Sequence, residues 1–119
     1  MRASLRAGLT TALKNRDRVA TTALRSALAA IDNAEAVPVD QPLSTAAGDE
    51  HVVGAALGVG AAETARRELT DTDVRAIVAH EVRERTTAAD KYERLGRTDA
   101  AERLRAEAVV LKQHLEPLS

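Results

Sequence analysis

Residues 101 to 118 carry the pattern that most constrains the fold. Their apolar positions alternate steps of three and four residues, which aligns them along one side of an α-helix. A partner helix must cover such a seam. The sequence therefore predicts a fold of packed helices, and the other helical patterns in the chain are the candidate partners. The seam consists of Ala101, Leu104, Ala108, Leu111, Leu115 and Leu118.

Two helices are predicted near the N terminus. Apolar residues recur at helical spacing from Leu5 to Leu13, until "KNRD" interrupts the pattern with Asp17 placed to cap the helix that follows. This second helix ends near Ala36, because the residue that precedes Pro38 is biased away from the α region. Its core-facing residues are predicted to be Ala20, Leu24, Ala27, Leu28 and Ile31.

A third helix is predicted to begin at Thr70, whose spacing to Asp73 resembles a capping box. It runs for about 25 residues and stops at Gly96, since glycine adopts the left-handed conformation that ends many helices. The fourth helix begins at Thr98 or at the residue after it. Gly96 then lies at the corner of an antiparallel hairpin, and we expect Tyr92, the only aromatic residue, to bury its ring across that corner.

We predict a single all-α domain over residues 1–119, because the chain is too short for two ordinary domains. Residues 1–36 supply the two N-terminal helices of a small bundle, and residues 63–119 supply its C-terminal hairpin. Residues 37–62 hold two prolines and four glycines and are predicted to be a long linker. The apolar middle of this linker, "HVVGAALGVG", leaves two alternatives open, namely that it lies in a groove of the bundle or that it is disordered.

Composition limits both the core and the surroundings of the protein. The chain has no Phe, Trp or Cys, so its core must be thin and it contains neither disulfides nor thiolate metal sites. No apolar run is long enough for a membrane span, so we expect a soluble, unprocessed, cytoplasmic protein without a membrane partner. Lys and Arg total 17 against 18 Asp and Glu, although residues 1–36 hold six cations against three anions.

No motif predicts catalysis, a metal or a cofactor. His80 and Glu81 begin like an H-E-x-x-H zinc motif, but position 84 is Glu instead of the second His. The glycines from Gly54 to Gly60 lack the Lys-Ser/Thr of a phosphate-binding loop and follow no predicted strand. We therefore predict no catalytic residue, no metal ligand and no cofactor.

A basic ridge that contacts phosphate could run along the hairpin, formed by Arg83, Lys91, Arg94, Arg97 and Arg103. The alternative is an ordinary solvated face, because acids stand four residues before arginines along the helices. With a single aromatic residue, any RNA contact would be to shape and backbone rather than to unpaired bases. The acid–arginine pairs are Glu63 with Arg67, Asp71 with Arg75, Glu81 with Arg85, Asp90 with Arg94, and Asp99 with Arg103.

Several short motifs lie along residues 9–36 and 68–119. They are a Lys-x-(Lys/Arg)-Asp turn, a Leu-Arg pair, an Asn-x-Glu ending, a Leu-Thr-Asp helix start, and an aromatic residue before Gly-Arg with an Asp just after. Together they resemble the GatB/YqeY-domain family, small helical proteins related to the tail domain of the B subunit of the tRNA-dependent amidotransferase. The residues that carry this resemblance are Lys14, Arg16, Asp17, Leu24, Arg25, Asn33, Glu35, Leu69, Thr70, Asp71, Tyr92, Gly96, Arg97 and Asp99.

The resemblance implies an all-helical fold, binding of transfer RNA, and a family-level label of carbon–nitrogen ligase activity with glutamine as amido-N donor. Because the chain offers no nucleophile or ATP site, we expect a non-catalytic, tRNA- or translation-associated module. Its expected partner is tRNA, an amidotransferase or another protein. Relatives continue into a second small subdomain, which we expect this chain, ending in "LEPLS", to lack. The candidate RNA contacts are Lys14, Arg16, Arg18, Arg25, Arg94 and Arg97.

A second hypothesis requires no RNA. The apolar linker, or an exposed part of the 101–118 seam, would then dock onto a partner protein or a second copy of the chain. Sequence alone leaves the oligomeric state open.

Overall fold

The computed structural model describes residues 1–37 and 67–116. Within these ranges the chain forms α1 (Arg2–Asn15), α2 (Arg18–Glu35), α3 (Asp71–Arg94) and α4 (Thr98–Leu115), and no strand. The prediction of an all-α fold is confirmed. The predicted linker lies outside the described residues except for Val37, so both of its alternatives stay predictions.

The α1–α2 corner follows from two adjacent residues with different roles. Arg16 ends α1 in the left-handed conformation, with φ 55° and ψ 37°. The Asp17 carboxylate then accepts a hydrogen bond from the backbone N–H of Ala20 at 3.0 Å, which satisfies a free donor at the start of α2. The predicted cap is confirmed, whereas the left-handed arginine was not anticipated.

The predicted capping box at the start of α3 is also confirmed. Thr70 Oγ1 accepts from the backbone N–H of Asp73, and Asp73 Oδ2 accepts from the backbone N–H of Thr70, both at 3.0 Å. Two orphan donors of the first turn are thereby satisfied. The box fixes the point at which the chain becomes helical after the segment that precedes it.

The α3–α4 corner turns at Gly96, as predicted. Its φ of 77° is accessible to glycine at little cost, and its backbone N–H donates to the carbonyl of Glu93 at 3.0 Å. The N–H of Arg97 donates to the carbonyl of Tyr92 at 2.8 Å, which completes a Schellman-type ending. The prediction that Tyr92 buries its ring is wrong, because 36% of the residue is exposed. Alanines, rather than the tyrosine, fill the space between the helices near this corner.

Four helix ends meet at one end of the bundle, which we call the base. Glu35 at the end of α2 pairs with Arg2 of α1 at 3.0 Å, and its carbonyl accepts from the N–H of Arg67 at 2.9 Å. The guanidinium of Arg75 in α3 donates to the carbonyl of Leu115 at the end of α4. These contacts bring together the start of α1, the end of α2, the start of α3 and the end of α4. Both helix corners therefore lie away from the base.

The hairpin is longer than the pair of N-terminal helices. α3 has 24 residues and α2 has 18, so at roughly 1.5 Å per residue α3 is about 9 Å longer than α2. The continuous apolar core extends from the base to the α1–α2 corner, where it includes Ala12 and Ala20. Its largest fully buried side chains are Leu5, Leu24, Ile31, Leu111 and Val78.

Beyond that core, the hairpin is packed by small residues. Ala89, Ala101 and Ala108 are buried, although none of them belongs to the main core cluster. Of the predicted seam, Leu111 is fully buried, while Leu104 and Leu115 are only half-buried. Alanine side chains at these positions allow α3 and α4 to pack closely. We call residues 89–101 the hairpin tip.

None of the described helices combines the length and the apolar character that a membrane crossing requires.

Candidate nucleic-acid interface at the helix corners

The first group of predicted contact residues lies at the α1–α2 corner. Lys14 belongs to the last turn of α1, Arg16 is the left-handed residue of the corner, and Arg18 is the first residue of α2. All three are exposed. Because the chain reverses direction here, three cations are concentrated within five residues on the end of the bundle away from the base.

The second group lies at the α3–α4 corner. Arg94 is the last residue of α3, and Arg97 follows Gly96 just before α4 begins. Both are exposed, as is Lys91 one turn earlier. The corner also holds an open depression lined by residues 96–100. Arg25 is exposed too, but it lies midway along α2 and joins neither group.

None of the six predicted contact residues forms an ion pair with another residue of the described ranges. Their charges are therefore not neutralised by neighbouring carboxylates in this part of the chain. Free, exposed guanidinium and ammonium groups are what phosphate contact requires.

The acid–arginine pairs expected at four-residue spacing are only partly formed. Arg85 pairs with Glu81 at 3.1 Å, as predicted. Asp71 instead lies 3.6 Å from the N-terminal ammonium group, and Arg75 donates to the carbonyl at the end of α4. Between residues 67 and 116, Asp99 and Arg103 form no ion pair. The pair of Glu63 with Arg67 includes a residue outside the described ranges.

The expected pair of Asp90 with Arg94 is wrong, because Asp90 has a partner on the other helix. One terminal nitrogen of Arg105 in α4 lies 3.0 Å from Asp90 Oδ1 and 2.8 Å from Glu93 Oε2. The hydrogen bond and charge of Arg105 lower the pKa of Glu93 below its ordinary value. Arg94 is consequently left without the carboxylate that sequence spacing had assigned to it.

The model of a family described as Yqey-like protein matches residues 50–118, more than half of the chain. The chain belongs to this YqeY-like family. The matched residues include α3 and α4, and the match begins inside the segment predicted to be the linker. The resemblance of residues 9–36, which form most of α1 and α2, lies outside the match and stays a prediction. No curated protein and no solved structure matches the chain.

The YqeY-like bundle also contains a buried polar network that sequence spacing did not reveal in full. Glu107 of α4 is only 5% exposed, and its Oε1 accepts from Nε of Arg85 at 3.0 Å. Arg85 also donates to Glu81 Oε1 at 3.1 Å, and Ser26 of α2 donates to the same oxygen at 2.8 Å. The network ties three helices together. Because its members satisfy each other, it is a structural element rather than a binding site.

A second contact that the sequence did not indicate joins α4 to α1 of the YqeY-like chain. Ser4 Oγ lies 2.7 Å from Nδ1 of His114. The imidazole ring packs over Gly8, where an added Cβ would come within 3.2 Å of two ring atoms. Burial lowers the pKa of His114, since desolvation disfavours the charged ring. The neutral imidazole thus helps to hold α1 against α4.

The H-E-x-x-E segment of the YqeY-like chain forms an ordinary helical pair. Nε2 of His80 lies 2.9 Å from Oε1 of Glu84, one turn further along α3. Among residues 1–37 and 67–116, no three or more His, Asp or Glu side chains are grouped closely enough to hold a metal ion.

Proposed function

We propose that this member of the YqeY-like family is a non-catalytic module that binds tRNA by phosphate contacts from its two helix corners. The observation that carries the proposal is the set of exposed cations at these corners, none of which is paired within the described ranges. Electrostatic contact to phosphate supplies the larger part of sequence-independent nucleic-acid binding. The resemblance of the family to the amidotransferase tail domain favours tRNA as the ligand.

The surface composition favours recognition of backbone and shape. The chain has one aromatic residue, Tyr92, and it is only partly exposed. Proteins that hold unpaired bases use several aromatic side chains as stacking platforms. A rigid pair of basic corners instead suits a folded RNA whose phosphates have a fixed spacing.

Fluorescence anisotropy with labelled bulk tRNA tests this proposal. About four phosphate contacts would lower the association constant by roughly two orders of magnitude between about 50 and about 200 mM salt. We expect the variant with Arg94→Gln and Arg97→Gln to bind tRNA more weakly. The plot of its log association constant against log salt concentration should be shallower, by the equivalent of about two phosphate contacts. Lys14→Gln with Arg18→Gln should act in the same way from the other corner.

The matched control carries Arg6→Gln and Lys112→Gln. It loses the same charge from exposed positions on α1 and α4 that lie outside both corners. We expect tRNA affinity within about twofold of wild type, since charges beyond a Debye length of roughly 10 Å are screened. Absence of binding at low salt, or equal losses in the control and the corner variants, would contradict the proposal.

The same resemblance leads us to propose that the module acts beside a tRNA-dependent amidotransferase or another translation component in the cytoplasm. The carbon–nitrogen ligase label of the family would then refer to the partner's chemistry, with this chain supplying RNA contact. Retention of purified amidotransferase on the immobilised chain, dependent on tRNA, is the expected result. Retention that is unchanged by RNase would point to direct protein contact instead.

A protein-interaction or self-association module is the alternative, and exposed apolar residues favour it. Leu95 is 71% exposed, Val109 54% and Leu13 47%. Light scattering over a hundredfold concentration range would separate the hypotheses. A mass that rises with concentration and falls on Val109→Ser would support self-association, whereas a constant monomer mass would contradict it.

A further inference from the structure

The charge of the hairpin near its corner is almost balanced, so the position of each charge decides what the surface can bind. From Asp90 to Arg105 the sequence holds five cations and four anions. Phosphate would meet little net attraction if these charges were evenly mixed. The structure instead separates them.

Helical geometry alone does not separate these charges. On α3, Asp90 lies about 60° from Glu93 but also about 40° from Arg94, so a contact from outside the helix must decide which way its carboxylate turns. Arg105 reaches across from α4 and bonds both carboxylates, at 3.0 and 2.8 Å. Both acids are thereby held on the side of α3 that faces α4.

The acids have other partners within reach once Arg105 is removed. Asp90 stands four residues before Arg94, the spacing at which acid and arginine pair along a helix. Glu93 stands four residues before Arg97, across the turn at Gly96. Either pairing would neutralise a cation that is unpaired in the described structure.

We propose that Arg105 is a positioning residue for phosphate recognition: by holding Asp90 and Glu93 against α4, it keeps Arg94 and Arg97 available to the ligand. This inference rests on the proposed function and assigns a role to a residue outside the two corners. The pKa of Glu93 is lowered, and the largest cause is the hydrogen bond that its carboxylate accepts from Arg105. This agrees with a stabilising interaction between the two side chains. Arg105 affects the ligand through the acids that it binds, whereas Arg94 and Arg97 contact it.

The first experiment compares Arg105→Gln with Arg103→Gln by anisotropy with bulk tRNA. Both variants lose one positive charge from α4, but Arg103 has no carboxylate partner within residues 67–116. We expect Arg105→Gln to weaken binding by roughly five- to tenfold at low salt, because it also releases two carboxylates toward the corner cations. Arg103→Gln should change affinity by about twofold or less. Equal losses would overturn the proposal.

A rescue experiment separates positioning from direct contact. Adding Asp90→Asn and Glu93→Gln to Arg105→Gln removes the released acids, so affinity should return to within about twofold of wild type. The charge-matched control adds Glu68→Gln and Glu116→Gln instead, since both are exposed carboxylates at the base. Failure of the first rescue would assign Arg105 to the contact surface itself, and equal rescue by the control would reduce the effect to net charge. Either result overturns the proposal.

Heparin distinguishes failure of this inference from failure of the proposed function. Salt elution from a heparin column should follow the same order of variants, because heparin presents closely spaced anionic groups without RNA structure. If wild type binds heparin but not tRNA, the proposed function is wrong and the role of Arg105 is still decided by the heparin series. If wild type binds neither, both proposals are wrong. Unchanged circular dichroism at 222 nm shows that each variant remains folded.

Discussion

Replacing Arg85 with methionine is expected to destabilise the protein more than any surface substitution on the same helix. The arginine donates to Glu107 at 3.0 Å and to the Glu81 carboxylate at 3.1 Å, and its side chain is only 11% exposed. Methionine retains most of the apolar stem but none of the donors. Glu107, with 7% of its side chain exposed, would be left without its hydrogen-bond partner.

The magnitude follows from what remains buried. Removing one partner of a buried ion pair costs about 3–5 kcal/mol, and the residual exposure of this network reduces the expectation to about 2–4 kcal/mol. That loss is a large fraction of the roughly 5–15 kcal/mol by which domains are stable. The double variant Arg85→Met with Glu107→Met removes both charges of the pair that joins α3 to α4, and Glu81 keeps its hydrogen bond from Ser26. The double variant should therefore lie within about 1 kcal/mol of wild type.

Urea denaturation followed by circular dichroism at 222 nm measures these differences, provided that the slope of the transition is unchanged. Arg83→Met is the matched control, since Arg83 is an exposed arginine of the same helix. We expect it to change the free energy of unfolding by no more than about 0.5 kcal/mol. The reasoning is refuted if Arg85→Met loses less than about 1 kcal/mol, or if the double variant is no more stable than that single variant.

Three further predictions concern local features. Arg16→Gly should raise the free energy of unfolding by up to about 1 kcal/mol in the same urea assay, since glycine adopts the observed φ of 55° without side-chain strain; a loss would contradict this. Thr70→Ala should cost about 1 kcal/mol, because it removes the oxygen that accepts from Asp73, whereas Thr70→Ser should retain stability. His114 should make stability depend on pH. Its folded pKa is lowered by burial, so the unfolded chain binds more protons and stability falls as pH drops below about 6.5, until the folded ring is also protonated. Thermal melts at pH 7.5 and 5.5 should show a smaller difference for His114→Gln than for wild type.

Helix positions were predictable because their signals lie within a few residues. The Asp17 cap and the Thr70–Asp73 box each join residues three positions apart, and Gly96 terminates α3 through its own backbone freedom. Each of these features depends on local hydrogen bonding that any neighbouring structure leaves intact. Family membership could likewise be recognised in the residues of α3 and α4, which the matching family model includes.

The candidate interface was predictable only in part. The cations of the two corners could be named, since residues at reversals of the chain are normally exposed. The partners of the neighbouring acids could not be predicted from the sequence, because Arg105 is 12 and 15 residues away from the two carboxylates that it binds. Local spacing assigned Asp90 to Arg94, and that assignment is wrong. The prediction that Tyr92 is buried was wrong for a related reason. Buried alanines fill the space between α3 and α4 near the hairpin tip.

By itself, then, the order of residues determined which segments are helical, where each begins and ends, and which side of each helix is apolar. These properties depend on contacts within one turn of backbone. The register of α3 against α4, the meeting of four helix ends at the base and the pairing of Arg105 with Asp90 and Glu93 were decided only by tertiary packing. Such contacts join residues that are 12 to 110 positions apart, as in the pairs of Glu93 with Arg105 and Ser4 with His114. Their geometry depends on how close the small alanine side chains allow the helices to approach.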